Sequence, residues 1–181
     1  MMNSRADLLY PLSEFYTEMG LDLPVVSRLN GLDIPEFYRR LLVHDLDMTP
    51  TLEAAFHQDV HLRVLKKRIS NKILTRQVVL MLDQDKVPIE FGAIKIHLDS
   101  VSYAAQEEIF HGRRPLGTIL HRHHVEHYSR PIAFIRVEAD SLLSNALGVQ
   151  VQGAILYGRL NVLQGCGQKQ IAEILEILPQ M

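Results

Sequence analysis

The spacing of apolar residues predicts helices in the first part of the chain. Leucines and aromatic residues recur at intervals of three and four between residues 8 and 16, which is typical of an amphipathic helix, and Gly20 is a stop signal after it. A second helix is predicted over residues 35–43. A third should begin at Thr49, a natural N-cap, and end near His57. The chain up to residue 57 is therefore expected to be helical.

From residue 59 onward, apolar and polar residues partly alternate, which indicates strands with one packed face. Strands are predicted over residues 61–66, 74–82, 89–98, 132–137, 153–163 and 170–178. Helices are predicted between them over residues 103–110, 116–122 and 139–147. Strands joined by short turns or single helices predict an α+β fold. We expect one domain over residues 1–181, with an antiparallel sheet of about six strands, helices packed at one side, and the N-terminal helices (1–45) as part of it.

Composition restricts the class of function. The 181 residues are 47% hydrophobic with a formal net charge of −2, which is ordinary for a globular protein and offers no broad basic surface for a nucleic acid. No apolar run approaches the roughly 20 residues that span a bilayer. Residues 1–7 lack the pattern of a signal peptide, so a cytoplasmic protein without membrane or nucleic-acid partners is expected.

Two features raise the question of other chemistry. Residues 121–127 include four histidines, and His123 and His127 have a spacing that could ligate zinc on a helix, although a polar, solvated connection before the strand at Ile132 is the preferred explanation. Cys166, the single cysteine, lies between two glycines in a predicted turn and has no identifiable base. Phosphate-binding glycine loops and serine-nucleophile motifs are absent from the sequence. We therefore expect no metal and no cofactor.

Three charged residues lie in strands that are mostly apolar. Arg76 lies within the strand run from Ile73 to Leu82, and if its side chain is buried it requires a compensating anion, which could be Asp, Glu or a substrate carboxylate. Glu173 and Glu176 are three residues apart on the last strand, so their side chains should point to opposite faces. A carboxyl group buried in an apolar cavity can take part in proton transfer.

Four segments in order resemble the chorismate pyruvate-lyase family, and more closely its branch distant from the ubiquinone-pathway enzyme. They are Asp-Met-Thr-Pro-Thr-Leu-Glu at 47–53, Leu-Thr-Arg-Gln-Val-Val-Leu at 74–80, Arg-Pro-Leu-Gly-Thr-Ile-Leu at 114–120, and the terminal hairpin from Tyr-Gly-Arg at 157–159 to Leu-Pro at 178–179. The resemblance covers roughly residues 40–180. It implies the fold of chorismate lyase, which the UTRA-type effector domains of bacterial transcription regulators share.

The resemblance also implies a binding site. Met48 and Leu116 match positions whose backbone lines a small aromatic site, and Gly117 completes a turn that lets backbone N–H groups approach a ligand. Arg76 matches the arginine that binds the carboxylate of chorismate and of 4-hydroxybenzoate.

The family's essential glutamate has two candidates in this chain. Glu176 reproduces the family's ending, an acid before apolar residues and a near-terminal proline. Glu173 agrees as well with the distance from the hairpin turn. We prefer Glu176 as the catalytic carboxylate and retain Glu173 as the alternative.

The resemblance implies a lyase that converts chorismate to 4-hydroxybenzoate and pyruvate, as a monomer or homodimer with a small-molecule substrate and no cofactor. A related substrate such as aminodeoxychorismate stays open. The first alternative is a non-catalytic sensor of a small aromatic acid, of the UTRA type. Only about 45 residues precede the matched region, so the DNA-binding part of such a regulator is not expected. The second alternative is a metal-dependent enzyme that uses residues 121–127.

Overall fold

Seven antiparallel strands form one sheet in the computed structural model of the protein, which describes residues 4–151 and 153–180. Residues 1–3, the start of the segment considered for targeting, lie outside the described residues. The strands are β1 (Val26–Leu29), β2 (Val60–Ser70), β3 (Ile73–Leu82), β4 (Pro88–His97), β5 (His127–Glu138), β6 (Ile155–Gly165) and β7 (Gln170–Leu178). Their order across the sheet is β1-β5-β6-β7-β4-β3-β2. The predicted α+β class with an antiparallel sheet is confirmed.

Seven short helices accompany the sheet in the described part of the chain. They are α1 (Arg5–Leu8), α2 (Leu12–Met19), α3 (Glu36–Leu42), α4 (Met48–Phe56), α5 (Tyr103–His111), α6 (Leu116–Arg122) and α7 (Ser141–Leu147). None of these helices is long and apolar enough to cross a membrane.

The N-terminal region differs from the prediction in three places. The expected first helix is divided into α1 and α2 around Pro11, and α4 has Asp47 rather than Thr49 at its N-cap. The region also contains β1, which the helical prediction missed and which makes the sheet one strand larger than expected. β1 is only four residues long and pairs with β5, so a partner more than 100 residues away decides its conformation.

Successive side chains along each strand point to opposite sides, so the sheet has two faces, and both are packed. On one face, residues such as Val79, Phe91 and Ile177 form a core cluster with residues of α1, α2 and α7. On the other face, residues such as Leu74, Ile94 and Leu80 pack with residues of α3 to α6 in two separate clusters. Two clusters on one face leave the middle of that face less filled, and the candidate site lies there.

Candidate functional site

A cavity lies between the second face of the sheet and the N-terminal ends of α4 and α6. Its volume is about 60 Å³. One side is formed by the beginnings of α4 and α6 and the residue before each helix, and the other side by β2, β3, β4, β6 and β7; the helix side consists of Asp47, Met48, Thr49, Pro115, Leu116 and Gly117. All four segments of the family resemblance therefore contribute residues to one cavity.

Gly92 occupies the centre of the cavity floor. It is paired with Val78 of β3 on one side and with Glu176 of β7 on the other. A Cβ atom at this position would lie 2.9 Å from Cγ2 of Val78, closer than carbon atoms pack. Because Gly92 has no side chain, there is open space between Glu176 and Arg76. Arg76 lies two residues before Val78 on β3, so its side chain is on the same face of the sheet.

Arg76 is a buried cation in this cavity. Its side chain is 1% exposed, and among the described residues its Nε and Nη1 atoms have no hydrogen-bond partner. Burial lowers the pKa of Arg76 to about 10, which leaves the guanidinium charged at neutral pH. In the described part of the chain, no Asp or Glu side chain forms a hydrogen bond with these two atoms.

Glu176 lines the same cavity and is paired with a different arginine. Its carboxylate accepts a hydrogen bond from Nε of Arg159, a residue of β6 that is fully buried. The Arg159 guanidinium also donates to the carbonyl oxygens of Leu42 at 3.3 Å, His44 at 3.0 Å and Leu46 at 3.1 Å. Arg159 therefore fixes both the Glu176 carboxylate and the chain that leads into α4.

Glu173 does not line the cavity. Its carboxylate lies 2.8 Å from Nε2 of His97 of β4, where both side chains are partly exposed. The separation of Glu173 from Glu176 follows from the pleat of β7, which places residues three apart on opposite faces. Of the two glutamates, the structure brings only Glu176 together with Arg76, Met48, Leu116 and Gly117.

Glu90 of β4 is a second carboxyl group in the cavity, and the sequence analysis did not select it. It is 4% exposed, and its Oε2 atom has no hydrogen-bond partner among the described residues. Burial raises the pKa of Glu90 well above its usual range, and the nearby Glu176 charge adds to this effect, while Arg159 opposes it. Arg76 was selected as a charged residue in a mostly apolar strand, and the same signal could have identified Glu90.

A partly buried ion pair lies beside the cavity and the two helix ends. Nε2 of His127 donates to Oδ2 of Asp47 at 2.9 Å, and Nδ1 of His127 donates to the carbonyl of Val125 at 2.9 Å. Both ring nitrogens of His127 face acceptors, which favours the protonated imidazolium, and the Asp47 hydrogen bond is the largest cause that raises the pKa of His127. Burial acts to raise the pKa of Asp47, but the His127 hydrogen bond and charge outweigh it and lower that pKa.

The histidine segment does not form the cluster considered from the sequence. His123 follows α6 and lies 3.2 Å from Glu108, whereas His127 opens β5, so they do not share a helix face. Within residues 4–151 and 153–180, no three metal-binding side chains converge. His121 and His124 instead line an open groove of about 1150 Å³, which shares Asp47 with the cavity.

Comparison with solved structures identifies the fold. PhnF from Mycobacterium smegmatis superposes with a TM-score of 0.57 at 11% identity, over 77% of this chain and 66% of that one. The effector domain of PhnF alone gives a TM-score of 0.55 at 11% identity, over 73% of this chain and 87% of the domain. YydK from Bacillus subtilis, described as a possible transcriptional regulator, gives 0.55 at 9% identity, over 66% of this chain and 58% of YydK.

These comparisons show a UTRA-like fold, one related to chorismate lyase, and at such low identity they show the fold alone. This chain spans about two thirds of PhnF and most of its effector domain. Models of known protein families give no match to the sequence. Curated proteins give no sequence match either.

Proposed function

We propose that the cavity binds a small ring carboxylate and that the protein is a chorismate lyase that releases 4-hydroxybenzoate and pyruvate. The observation that carries this proposal is Arg76, a buried charged guanidinium whose Nε and Nη1 atoms have no hydrogen-bond partner among the described residues, in the same cavity as Glu176. An unpaired buried charge is unfavourable for folding. A ligand carboxylate would supply the missing partner, and arginine can hold it through two parallel hydrogen bonds.

The residues of the cavity have distinct roles in the proposed reaction. Arg76 binds the ring carboxylate, and the helix beginnings at Met48 and Leu116 offer backbone N–H groups, which Gly117 leaves accessible. As the C–O bond to the enolpyruvyl group breaks, the ring loses a proton at the neighbouring carbon and becomes aromatic. The leaving group takes up a proton and becomes pyruvate. Glu176, held by Arg159, assists this proton transfer.

Binding requires movement of the lining side chains. The cavity of about 60 Å³ is smaller than the roughly 150 Å³ engineered cavity that accepts benzene. The Asp47–His127 pair separates the cavity from the larger open groove and is the natural place for displacement. Substrate is proposed to enter from this groove.

The second candidate function is a non-catalytic sensor of an aromatic acid. The likeness to the PhnF effector domain favours it. Arg76 would serve both functions equally well, because both need a bound carboxylate. The two candidates differ in whether Glu176 is needed for chemistry or only for the shape of the cavity.

Incubation of the purified protein with chorismate, with chromatography of the products, distinguishes the two. The lyase predicts 4-hydroxybenzoate and pyruvate in equal amounts. Glu176→Gln should then lower turnover by about 10²–10⁴-fold, since the amide cannot transfer a proton at useful pKa, while product binding changes far less. Glu173→Gln on the same strand is the matched control and should keep full activity.

Two results would contradict the lyase. Chorismate that is bound but returned unchanged would favour the sensor. Full activity of Glu176→Gln would remove that carboxylate from the reaction.

A further inference from the structure

Glu90 is a buried acid that the proposed roles leave unexplained. Its Oε2 atom is shielded from solvent and has no hydrogen-bond partner among the described residues, although it lines the cavity. Buried polar atoms in folded proteins are almost always hydrogen bonded. A carboxyl group in this position therefore lowers the free energy of unfolding unless a ligand completes its hydrogen bonding.

The sheet register places Glu90 away from the cationic part of the cavity. Arg76 is paired with Ile94 of β4, whereas Glu90 lies four residues earlier on that strand, opposite Leu80. At about 3.3 Å per residue, the two backbone positions are roughly 13 Å apart along the strand direction. Gly92 lies between them with no side chain, so a flat ring can lie over it with one substituent toward each end.

The surroundings of Glu90 favour its protonated form. Burial is the largest cause, the Glu176 carboxylate adds to it, and the Arg159 charge opposes it. A protonated carboxyl group donates a hydrogen bond, whereas the Glu176 carboxylate, which accepts from Arg159, can also accept one from a ligand. A hydroxyl group is matched to this pair because it can accept from one acid and donate to the other.

We propose that Glu90 is a specificity-determining residue whose carboxylic acid donates a hydrogen bond to the oxygen substituent of the bound ring carboxylate, at the end away from Arg76. This inference rests on the proposed ring-carboxylate site and specifies its ligand class. The cavity selects a ring that carries a carboxylate and, opposite it, a hydroxyl group. It rejects an analogue of the same size that has a methyl group there.

Calorimetric titration with 4-hydroxybenzoate and 4-methylbenzoate tests this selection. The dissociation constant of the wild type for 4-hydroxybenzoate should be at least about tenfold lower than for 4-methylbenzoate, the difference expected from one good hydrogen bond. Glu90→Leu should lose most of this preference, whereas Glu90→Gln should retain part of it because its amide N–H can donate. Glu173→Leu is the matched control and should keep the wild-type preference. An unchanged preference in Glu90→Leu, or none in the wild type, overturns the inference.

Thermal unfolding without ligand separates this role from a structural one. Replacing an unpartnered buried acid by an apolar side chain of similar size should raise the midpoint of Glu90→Leu by about 2–4 °C. A lowered midpoint would mean that Glu90 stabilises the fold and would overturn the inference. Pyruvate release from chorismate is measured in a separate assay. If no pyruvate is released but the preference for 4-hydroxybenzoate still depends on Glu90, the result contradicts the lyase and supports the role of Glu90.

Discussion

At the scale of single residues, Arg76 is the group whose function can be tested most directly. Arg76→Ala should weaken binding of 4-hydroxybenzoate by about 2–5 kcal/mol, because the ligand carboxylate would be buried without its partner. Arg76→Lys should also weaken binding, since a lysine lacks the planar fork. Arg63→Ala is the control, because Arg63 is exposed on β2. Calorimetry measures all four proteins, and unchanged affinity in both Arg76 variants would place the ligand elsewhere.

At the scale of elements, Arg159 connects β6 and β7 to the segment that precedes α4. Its guanidinium contacts the Glu176 carboxylate and three backbone carbonyls. Arg159→Ala should lower the free energy of unfolding by about 3–5 kcal/mol, the usual effect of leaving one charge of a buried pair alone. Denaturant unfolding measures this effect, with the exposed Arg130→Ala of β5 as control. A change below about 1 kcal/mol would show that Arg159 does not hold these elements together.

The Asp47–His127 pair connects α4 to β5 and should make stability depend on pH. The raised pKa of His127 means that its contribution is complete below the unfolded value near 6.5 and is lost as pH rises through the folded value. The lowered pKa of Asp47 means that its contribution is present above the unfolded value near 3.8 and is lost as pH falls through the folded value. The pair therefore contributes most to the free energy of unfolding between the unfolded pKa of Asp47, 3.8, and that of His127, 6.5.

The difference in unfolding free energy between wild type and His127→Gln should accordingly be largest near pH 5–6 and shrink above neutral pH. Chemical unfolding across pH 5–9 measures it. His111→Gln is a control on the exposed end of α5. A difference that stays constant with pH would show that His127 does not change protonation in this range.

At the scale of the whole molecule, a ligand that completes the cavity should stabilise the entire fold. Binding at about 100 times the dissociation constant adds about 2.7 kcal/mol, or a rise of about 5–10 °C in the unfolding midpoint for a chain of this length. We expect 4-hydroxybenzoate to produce this shift, and lyase activity to continue, in the presence of EDTA. Activity that disappears with EDTA and returns with zinc would instead revive a role for the histidines at 121–127.

Much of this architecture is determined locally. The strands β3, β4 and β7 follow from apolar runs bounded by turn residues, and α6 matches its prediction because Pro115 precedes an apolar helical turn. The opposite directions of Glu173 and Glu176 follow from the strand period alone. The sequence also pointed to Arg76, because a charge in an apolar strand needs an explanation wherever it lies.

Only the tertiary structure decided which charges meet. Arg159 and Glu176 become partners because β6 and β7 are neighbours in register, and no described anionic side chain is left to pair with Arg76. Likewise, β1 is a strand because β5 offers it an edge, and the pKa of His127 is raised because its ring lies against Asp47 and the carbonyl of Val125. Residue type and spacing determine which face a side chain takes. Its partner depends on contacts between segments distant in sequence, and these contacts exist only in the folded chain.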